Sequence, residues 1–259
     1  MYIFFGDETN LNPSTQNKFF IYGGIIVPVE NLANLNDAIL EIRNKYNYKP
    51  NDSLKFDSNL KPKHITLEQC KKAKQEVIDA CEKNNCTIIT YLILHKIANN
   101  NQKRLLFWGI DNIIGTFNAF LKEQKSYGIC LLDNPPLATG INKYMSDKFQ
   151  FGLQIDGKEK NVILDKINVL GITYNNASNI SSAADIIIGS FRYCVNNPKN
   201  ITAAQTMLKK LLNLMWKTTD KSGIHLIEKG VTFRPKKISN ITYQAQYKEL
   251  KERLNSLLN

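Results

Sequence analysis

The alternation of short apolar runs with longer amphipathic segments predicts an α/β protein. Apolar runs of about four to eight residues are typical of buried strands, whereas apolar residues three or four positions apart are typical of helices. The predicted strands are Met1–Gly6, Lys18–Val27, Thr87–Leu94, Tyr127–Leu132 and Ile167–Ile172. The predicted helices are Val29–Tyr46, Thr66–Asn85, Gln102–Gln124, Gly140–Gln154, Ser181–Cys194, Thr202–Trp216 and Thr242–Leu258.

Local signals indicate where several of these elements begin and end. The turn-forming segment Asn10–Gln16 predicts a hairpin between the first two strands, and Pro28 ends the second strand. Thr66, followed three residues later by Gln69, forms a capping-box pattern that predicts the start of a helix. Asn51–Pro62 shows no periodicity and is predicted to be irregular.

The order of these elements predicts a single domain over 1–259. A hairpin followed by alternating strands and helices is typical of a mixed sheet, here of about five strands, with helices on its faces. Strand Tyr127–Leu132 is apolar throughout, as expected when both faces of a sheet are covered. The two helices after the second strand, at about 29–86, are interpreted as a helical insertion, and about 199–259 as a basic helical C-terminal extension.

The composition is that of a soluble globular protein. Of 259 residues, 43% are hydrophobic and 22% are charged, and no segment approaches the roughly 20 apolar residues of a membrane helix. The apolar run Met1–Gly6 lacks the basic flank and cleavage site of a signal peptide, so we expect a cytoplasmic protein without membrane contact. The five cysteines and three histidines lack the spacing of a zinc site, so we interpret the cysteines as reduced core residues.

The positive charge of the chain is concentrated near its end. The formal net charge is +11, and 199–259 contains 12 Lys and Arg against 4 Asp and Glu. A basic region of this kind suits a polyanion such as DNA or RNA, although general Lys richness is the alternative. Aromatic residues in the same region are candidates for stacking on bases, with burial in the core as the alternative: Trp216, Phe233, Tyr243 and Tyr247.

Candidate catalytic carboxylates follow two predicted strands and begin one predicted helix. Asp7 and Glu8 follow the first strand, Asp133 follows the fourth, and Asp185 lies near the start of Ser181–Cys194. If the first and fourth strands are parallel neighbours, Asp7 and Asp133 lie at the same edge of the sheet, where α/β active sites form. The helix can then place Asp185 over that edge.

Each carboxylate also has a simpler interpretation. Asp133 begins a DNPP sequence, which is a strong turn signal by itself. Glu8 would point to the opposite side of the strand from Asp7. Asp185 is harder to explain structurally, because its neighbours are Ala and Ile, and a carboxylate in apolar surroundings needs a partner or a metal.

Three converging carboxylates would repel one another without a cation. Oxygen ligands of this kind suit Mg²⁺ or Mn²⁺, which commonly share substrate phosphates with the protein. Two such ions about 4 Å apart can activate water and stabilise a leaving oxygen. Asp7, Asp133 and Asp185 are therefore candidate metal ligands for phosphodiester hydrolysis.

Four motifs together resemble a bacterial family known as domain of unknown function 3800, across about 2–194. Members of this family open with a strand ending in Asp-Glu-Ser-Gly, return through Gly-Gly, and later carry a strand ending in Asp and a helix with a Gln-Leu-Ala-Asp-like signature. The counterparts here are Asp7-Glu8-Thr9-Asn10, Gly23-Gly24, Leu131-Leu132-Asp133 and Ser182-Ala183-Ala184-Asp185.

The resemblance implies a ribonuclease H-like fold with four acidic positions. Three of them correspond to Asp7, Asp133 and Asp185, and the carboxylate of the first core helix corresponds best to Asp111, whose alternative is an exposed helix charge. Glu8 is a lower-ranked catalytic candidate. Lys55 is a candidate phosphate contact, with a solvated lysine as the alternative.

The chain departs from the family pattern at two places. Relatives carry an acidic residue before Leu-Lys-Phe, whereas Ser53 stands there in this chain, with Asp52 and Asp57 as candidate substitutes. Thr9-Asn10 replaces Ser-Gly. Both departures bear on activity rather than on fold.

Three hypotheses follow from the sequence. The leading one is a nuclease that uses Mg²⁺ or Mn²⁺ to hydrolyse phosphodiester bonds of DNA or RNA. The second is a catalytically weak or inactive nucleic-acid-binding or regulatory protein of a bacterial defence or mobile-element system, working with a protein partner or as a homo-oligomer. The third is a small-molecule phosphohydrolase, which would not need the basic C-terminal region.

Overall fold

A computed structural model describes residues 1–14, 17–135, 140–154, 161–174, 177–196, 200–220, 223–226 and 228–258. The strands are β1 Tyr2–Thr9, β2 Phe19–Pro28, β3 Thr87–Leu94, β4 Gly128–Asp133, β5 Ile167–Thr173, β6 Thr218–Asp220, β7 Gly223–His225 and β8 Val231–Arg234. The helices are α1 Leu32–Lys45, α2 Leu67–Lys83, α3 Gln102–Glu123, α4 Ile141–Phe151, α5 Asn179–Val195, α6 Ile201–Leu214 and α7 Ile241–Leu258.

The main sheet has six strands in the order β5-β4-β1-β2-β3-β8. Strand β2 runs antiparallel to both of its neighbours, and the other adjacent pairs are parallel. The predicted α/β sheet flanked by helices is therefore confirmed, as is the parallel pairing of the first and fourth strands.

The predicted strand number was too low because β8 carries almost no sequence signal. Val231–Arg234 spans only four residues and is followed by Pro235, so it shows no measurable period. Its place beside β3 depends on contacts far apart in sequence. Thr90 donates its main-chain N–H to the carbonyl of Gly230 at 2.7 Å, and its hydroxyl to the same carbonyl at 3.0 Å.

Several local predictions agree with the structure. Thr66 accepts a hydrogen bond from the Gln69 N–H, and the Gln69 side chain accepts one from the Thr66 N–H, which completes the capping box. Strand β2 ends at Pro28. A short 3-10 helix at Val29–Asn31 precedes α1, so α1 begins three residues after the predicted helix start at Val29.

Each face of the sheet is covered by its own hydrophobic core. Helices α1, α2, α5, α6 and α7 contribute to one core, and α3 and α4 contribute to the other. The alternation of side chains along β1 explains the division, because Phe5 belongs to the first core and Phe4 to the second. Helices α1 and α2, expected as an insertion, share a continuous core with α5.

The cysteines agree with the expectation that they are reduced residues of the core. All five cysteines are free and buried, as predicted. Across the part of the chain that the structure describes, no helix is both long enough and apolar enough to cross a bilayer.

Candidate active site

A cleft lies at the carboxyl ends of β1 and β4, on the side covered by α5. In these parallel strands Gly6 pairs with Leu132, so Asp7 and Asp133 stand at matching positions one residue beyond. Phe5 and Leu131, two residues earlier, both pack on the α5 side. Because side chains alternate along a strand, Asp7 and Asp133 project to that same side.

The third acid reaches the cleft from helix α5. Ser178 caps the helix by accepting a hydrogen bond from the Ile180 N–H, and Asp185 lies in its second turn. Asp7, Asp133 and Asp185 thus line one cleft, together with Lys55 from the irregular segment after α1. The structure brings together the three acids that the sequence singled out, although they lie far apart along the chain.

The segment that carries Lys55 is held against α5 by contacts of Phe56. The main-chain N–H of Phe56 donates a 2.6 Å hydrogen bond to Oδ2 of Asp185. The Phe56 ring lies so close to Gly189 that a Cβ added there would be 2.3 Å from the ring. Lys74 donates to the Phe56 carbonyl at 2.9 Å, and its ammonium lies 5.1 Å from the ring centroid. Phe56 therefore holds the Asp185 carboxylate in place and also anchors the segment that carries Lys55.

Burial and mutual repulsion weaken the acidity of the cluster. Burial is the main cause that raises the pKa of Asp7 well above its ordinary value, and the charges of Glu8, Asp185 and Asp133 raise it further. Burial likewise raises the pKa of Asp133 and of Asp185, whereas the nearby Lys55 lowers both. Perturbed carboxylates that share a cleft are typical of functional sites.

Glu8 lies beside the cluster but not among the residues that line the cleft. It pairs with Tyr22 across β1 and β2, and Tyr22 belongs to the core on the α3 side. Burial, followed by the charge of Asp133, raises the pKa of Glu8 to about 7. Within the described residues, its Oε2 is buried without a hydrogen-bond partner.

Asp111 does not join the cleft. It lies on α3, which packs on the opposite face of the sheet from α5, and its carboxylate is 3.4 Å from the ammonium of Lys148. Burial raises its pKa, while hydrogen bonding to Tyr144 and the charge of Lys148 lower it. The structure thus places Asp111 in a separate group with α4.

Neither Asp52 nor Asp57, the candidate acids near Lys55, lines the cleft. Asp52 accepts a hydrogen bond from the Lys49 N–H at 2.6 Å and lies 3.2 Å from His64. Asp57 caps a 3-10 turn by accepting from the Asn59 N–H. Ser53, the residue directly before Leu54 and Lys55, lines the cleft.

The donor atoms of the cleft suit a hard cation, but they do not form a complete set of ligands. Oδ1 of Asp133 is buried and has no hydrogen-bond partner within the described residues, which is an orphaned oxygen of the kind that Mg²⁺ or Mn²⁺ binds. Oδ2 of Asp185 is already bonded to Phe56. Among the described residues, no three His, Cys, Asp or Glu side chains are grouped as metal ligands.

Sequence reasoning missed the hydroxyl groups of the cleft. Ser53, Thr173, Ser181 and Ser182 also line it, and the Ser181 hydroxyl oxygen is buried without a partner in the described structure. Isolated Ser and Thr residues carry no sequence signal of their own. Only the packing of β5, α5 and the Lys55 segment brings them together.

The basic C-terminal region is partly neutralised by ion pairs. Lys210 pairs with Asp79 of α2 at 2.5 Å, Lys229 pairs with Glu123 of α3, and Arg234 pairs with Glu228 at 2.8 Å. Three of the four aromatic candidates are buried, which agrees with the alternative that they serve the core: Trp216, Phe233 and Tyr247. Tyr243 is partly buried against the same core.

Comparison with known proteins does not add a family. No family model, no curated protein and no solved structure matches this chain.

Proposed function

We propose that this protein is a metal-dependent nuclease with a ribonuclease H-like fold, which hydrolyses phosphodiester bonds in DNA or RNA. The observation that carries the proposal is the meeting of Asp7, Asp133 and Asp185 with Lys55 in one cleft. The acids come from the end of the first strand, the end of the fourth strand and a later helix. These are the positions that the resemblance to the domain of unknown function 3800 family implies.

The electrostatics of the cleft support a cation at this site. Each of the three acids has a raised pKa, and repulsion among them contributes to the shift of Asp7 and Asp133. A divalent ion would relieve that repulsion, with Asp7 and Asp133 as its protein ligands. When bound, Mg²⁺ or Mn²⁺ supplies Lewis acidity toward a phosphodiester and its attacking water.

The chain's own residues orient the substrate in this proposal. Lys55 attracts the phosphate, and the hydroxyls of Ser181 and Ser182 are placed to hydrogen-bond its oxygens. Phe56 holds Asp185 in a fixed position through its main-chain N–H, so that the acid faces the same cleft with or without substrate. Exposed lysines of the described C-terminal region, such as Lys209 and Lys237, would contribute contacts to the nucleic-acid backbone.

Two observations favour the second candidate, a nucleic-acid-binding or regulatory protein without strong catalysis. The described acids do not form a group of three metal ligands, and Ser53 lines the cleft at a position where the resemblance implies an acidic residue. In that case the basic region would bind the polyanion, and the acidic cleft would be a remnant of catalytic machinery.

A calorimetric Mn²⁺ titration coupled to a cleavage assay distinguishes these functions. The wild-type protein should bind Mn²⁺ and cleave single- or double-stranded DNA or RNA, whereas Asp7→Asn should lose both properties. Asp147→Asn, an exposed acid on α4, is the matched control and should behave like the wild type. Absence of Mn²⁺ binding by the wild type at millimolar concentration would contradict the nuclease proposal.

The remaining outcomes identify the alternatives. Salt-sensitive nucleic-acid binding without Mn²⁺ would support the regulatory protein. Mn²⁺ binding with hydrolysis of a small phosphodiester, but not of nucleic acid, would support a small-molecule phosphohydrolase.

A further inference from the structure

Helix α3, on the opposite face of the sheet from α5, carries an exposed tryptophan. Trp108 is 37% exposed and belongs to neither hydrophobic core. The other tryptophan, Trp216, is 7% exposed and donates its indole N–H to Glu123 at 3.1 Å. Trp108 therefore contributes little to the packing of the protein, and its aromatic surface is open to a ligand.

Two cations adjoin this tryptophan. The Arg104 guanidinium lies 5.7 Å from the Trp108 ring centroid, and the Lys103 ammonium lies 5.5 Å from that of Phe107. Both cations are exposed, and neither pairs with an acid within the described residues. Their positive charge is therefore available to an anionic ligand, in contrast to the ion-paired charges of the C-terminal region.

Helix α4 covers the neighbouring side of α3 but leaves this part exposed. The rings of Phe107 and Tyr144 are stacked, with centroids 4.0 Å apart and planes 11° from parallel. Phe107 thus belongs to the row of α3 side chains that faces α4. Arg104 and Trp108 are four residues apart, so they form the adjacent row, and this row is exposed. We call Lys103, Arg104 and Trp108 the α3 surface.

The α3 surface lies at the same edge of the sheet as the acidic cleft. Asp7 pairs with Gly23, and Gly23 pairs with Thr90 of β3. Because β2 is antiparallel to both β1 and β3, these two strands end at the same edge. Helix α3 follows β3 through a 3-10 helix at His95–Ala98, so the first turns of α3 lie near that edge. A nucleic-acid strand held in the cleft can cross the edge onto the α3 surface.

We infer that the α3 surface binds unpaired nucleotides of a single-stranded nucleic acid, with a base stacked on Trp108 and the neighbouring phosphates held by Lys103 and Arg104. The two cations suit a polyanion, and the exposed ring suits one whose bases present a free face. In a duplex those faces are covered by neighbouring base pairs, so a ring on a helix surface reaches them only in a single strand. The class of ligand rests on the proposed function, whereas binding at this surface needs neither metal nor cleavage.

Tryptophan fluorescence tests the stacked base, because the chain has two tryptophans. In buffer with EDTA, a short oligothymidine should quench the emission of Trp216→Phe, in which Trp108 remains. It should not quench Trp108→Phe, in which the buried Trp216 remains. An abasic oligonucleotide of the same length, and a duplex, should quench far less. Quenching that persists in Trp108→Phe, or equal quenching by the abasic strand, would overturn the stacking.

Affinity for the same oligothymidine tests the surface as a whole. Trp108→Ala should weaken binding by about ten-fold, as expected for the loss of one stacked base. Arg104→Ala should reduce the slope of log K against log salt by about 0.7, the value for one phosphate contact on a single strand.

Lys83→Ala is the control for a lost surface charge. Lys83 is exposed and ends α2 just before β3 begins, at the opposite edge of the sheet, so this variant should bind like the wild type. Unchanged affinity in a folded Trp108→Ala variant would overturn the inference and leave the α3 surface to a protein partner.

The same measurements separate this inference from the nuclease. Asp7→Asn should keep the quenching and the affinity, because Asp7 is not part of the α3 surface. Quenching without Mn²⁺ binding or cleavage would leave the α3 surface standing and overturn the nuclease, in favour of the nucleic-acid-binding protein. Cleavage by the wild type without any quenching would overturn the α3 surface and leave the nuclease intact.

Discussion

The main-chain N–H of Phe56 donates a 2.6 Å hydrogen bond to Oδ2 of Asp185, across a sequence separation of 129 residues. This bond joins the irregular segment that carries Lys55 to the helix that carries the third acid of the cleft. Because Phe56 also packs on Gly189, one turn further along α5, the segment and the helix are held together at two points. The geometry of the cleft therefore depends on Phe56, a residue that does not line it.

Gly189→Ala should disturb the cleft from a distance. Its new Cβ would lie 2.3 Å from Cγ of Phe56, so the ring must move and the bond to Asp185 should weaken. We expect a loss of about 1–3 kcal/mol in the free energy of unfolding, typical of overpacking, with weaker Mn²⁺ binding. Urea denaturation and calorimetry measure the two effects.

Gly115→Ala on α3 is the matched control for that substitution. Its Cβ would meet only the end of the flexible Leu153 side chain, at 2.9 Å. Because alanine favours a helix over glycine by up to about 1 kcal/mol, this variant should be neutral or slightly more stable. A comparable loss of stability in both variants would show that the effect of Gly189→Ala does not come from its contact with Phe56.

Stability should fall as the pH rises through the window set by Glu8. Burial raises the pKa of Glu8 from 4.5 to about 7, so the folded state holds a proton that the unfolded state has released between these values. The free energy of unfolding therefore decreases with rising pH in that window. Glu8→Gln removes the contribution of Glu8 to this dependence, and the variant should be more stable than the wild type at pH 8 by about 1–2 kcal/mol.

The comparison with a surface acid isolates this effect. Glu41→Gln on α1 removes an exposed carboxylate and should leave the pH dependence of stability unchanged. Urea denaturation of the three proteins between pH 4 and pH 8 is the measurement. A Glu8→Gln variant with the same pH profile as the wild type would contradict a raised Glu8 pKa.

Tyr247 should stabilise the sixth strand of the sheet. Its hydroxyl donates to the Arg234 carbonyl at 2.5 Å and accepts from the Leu94 N–H at 3.0 Å, so it links α7 to β3 and β8. Tyr247→Phe leaves a buried N–H without an acceptor and should cost about 1–3 kcal/mol. Tyr243→Phe, on the same helix but only partly buried, should cost much less in thermal denaturation. Equal shifts in melting temperature would argue against the link.

The native protein should react slowly with thiol reagents. All five cysteines are free and buried, and burial raises the pKa of Cys194 to about 12, which suppresses its thiolate. A colorimetric thiol assay should detect five thiols in denaturant and almost none in native buffer within minutes. One rapidly labelled cysteine in the native protein would contradict this burial.

The sequence predicted those elements that have a strong local signal. Strand β3 was predicted at its observed bounds, because Thr87–Leu94 is a run of β-branched, aromatic and leucine residues without a turn former. Helix α2 was predicted from Thr66 and Gln69, whose side chains act within one turn. Strand β8 was missed because four residues are too few to show an alternation of apolar and polar positions. Its place in the sheet depends on the bond from Thr90 to Gly230, which lie 140 residues apart.

For the candidate site, the sequence by itself determined which residues could carry the chemistry. Asp7 and Asp133 end apolar strands, and Asp185 sits among residues that must be buried; each is a local observation. Only the tertiary structure decided which of them share a cleft, because the pairing of β1 with β4 and the bond from Phe56 to Asp185 join distant segments. It placed Asp111 on the other face of the sheet and Lys55 among the acids, since the side of the sheet that a helix or loop covers is set by packing rather than by local sequence.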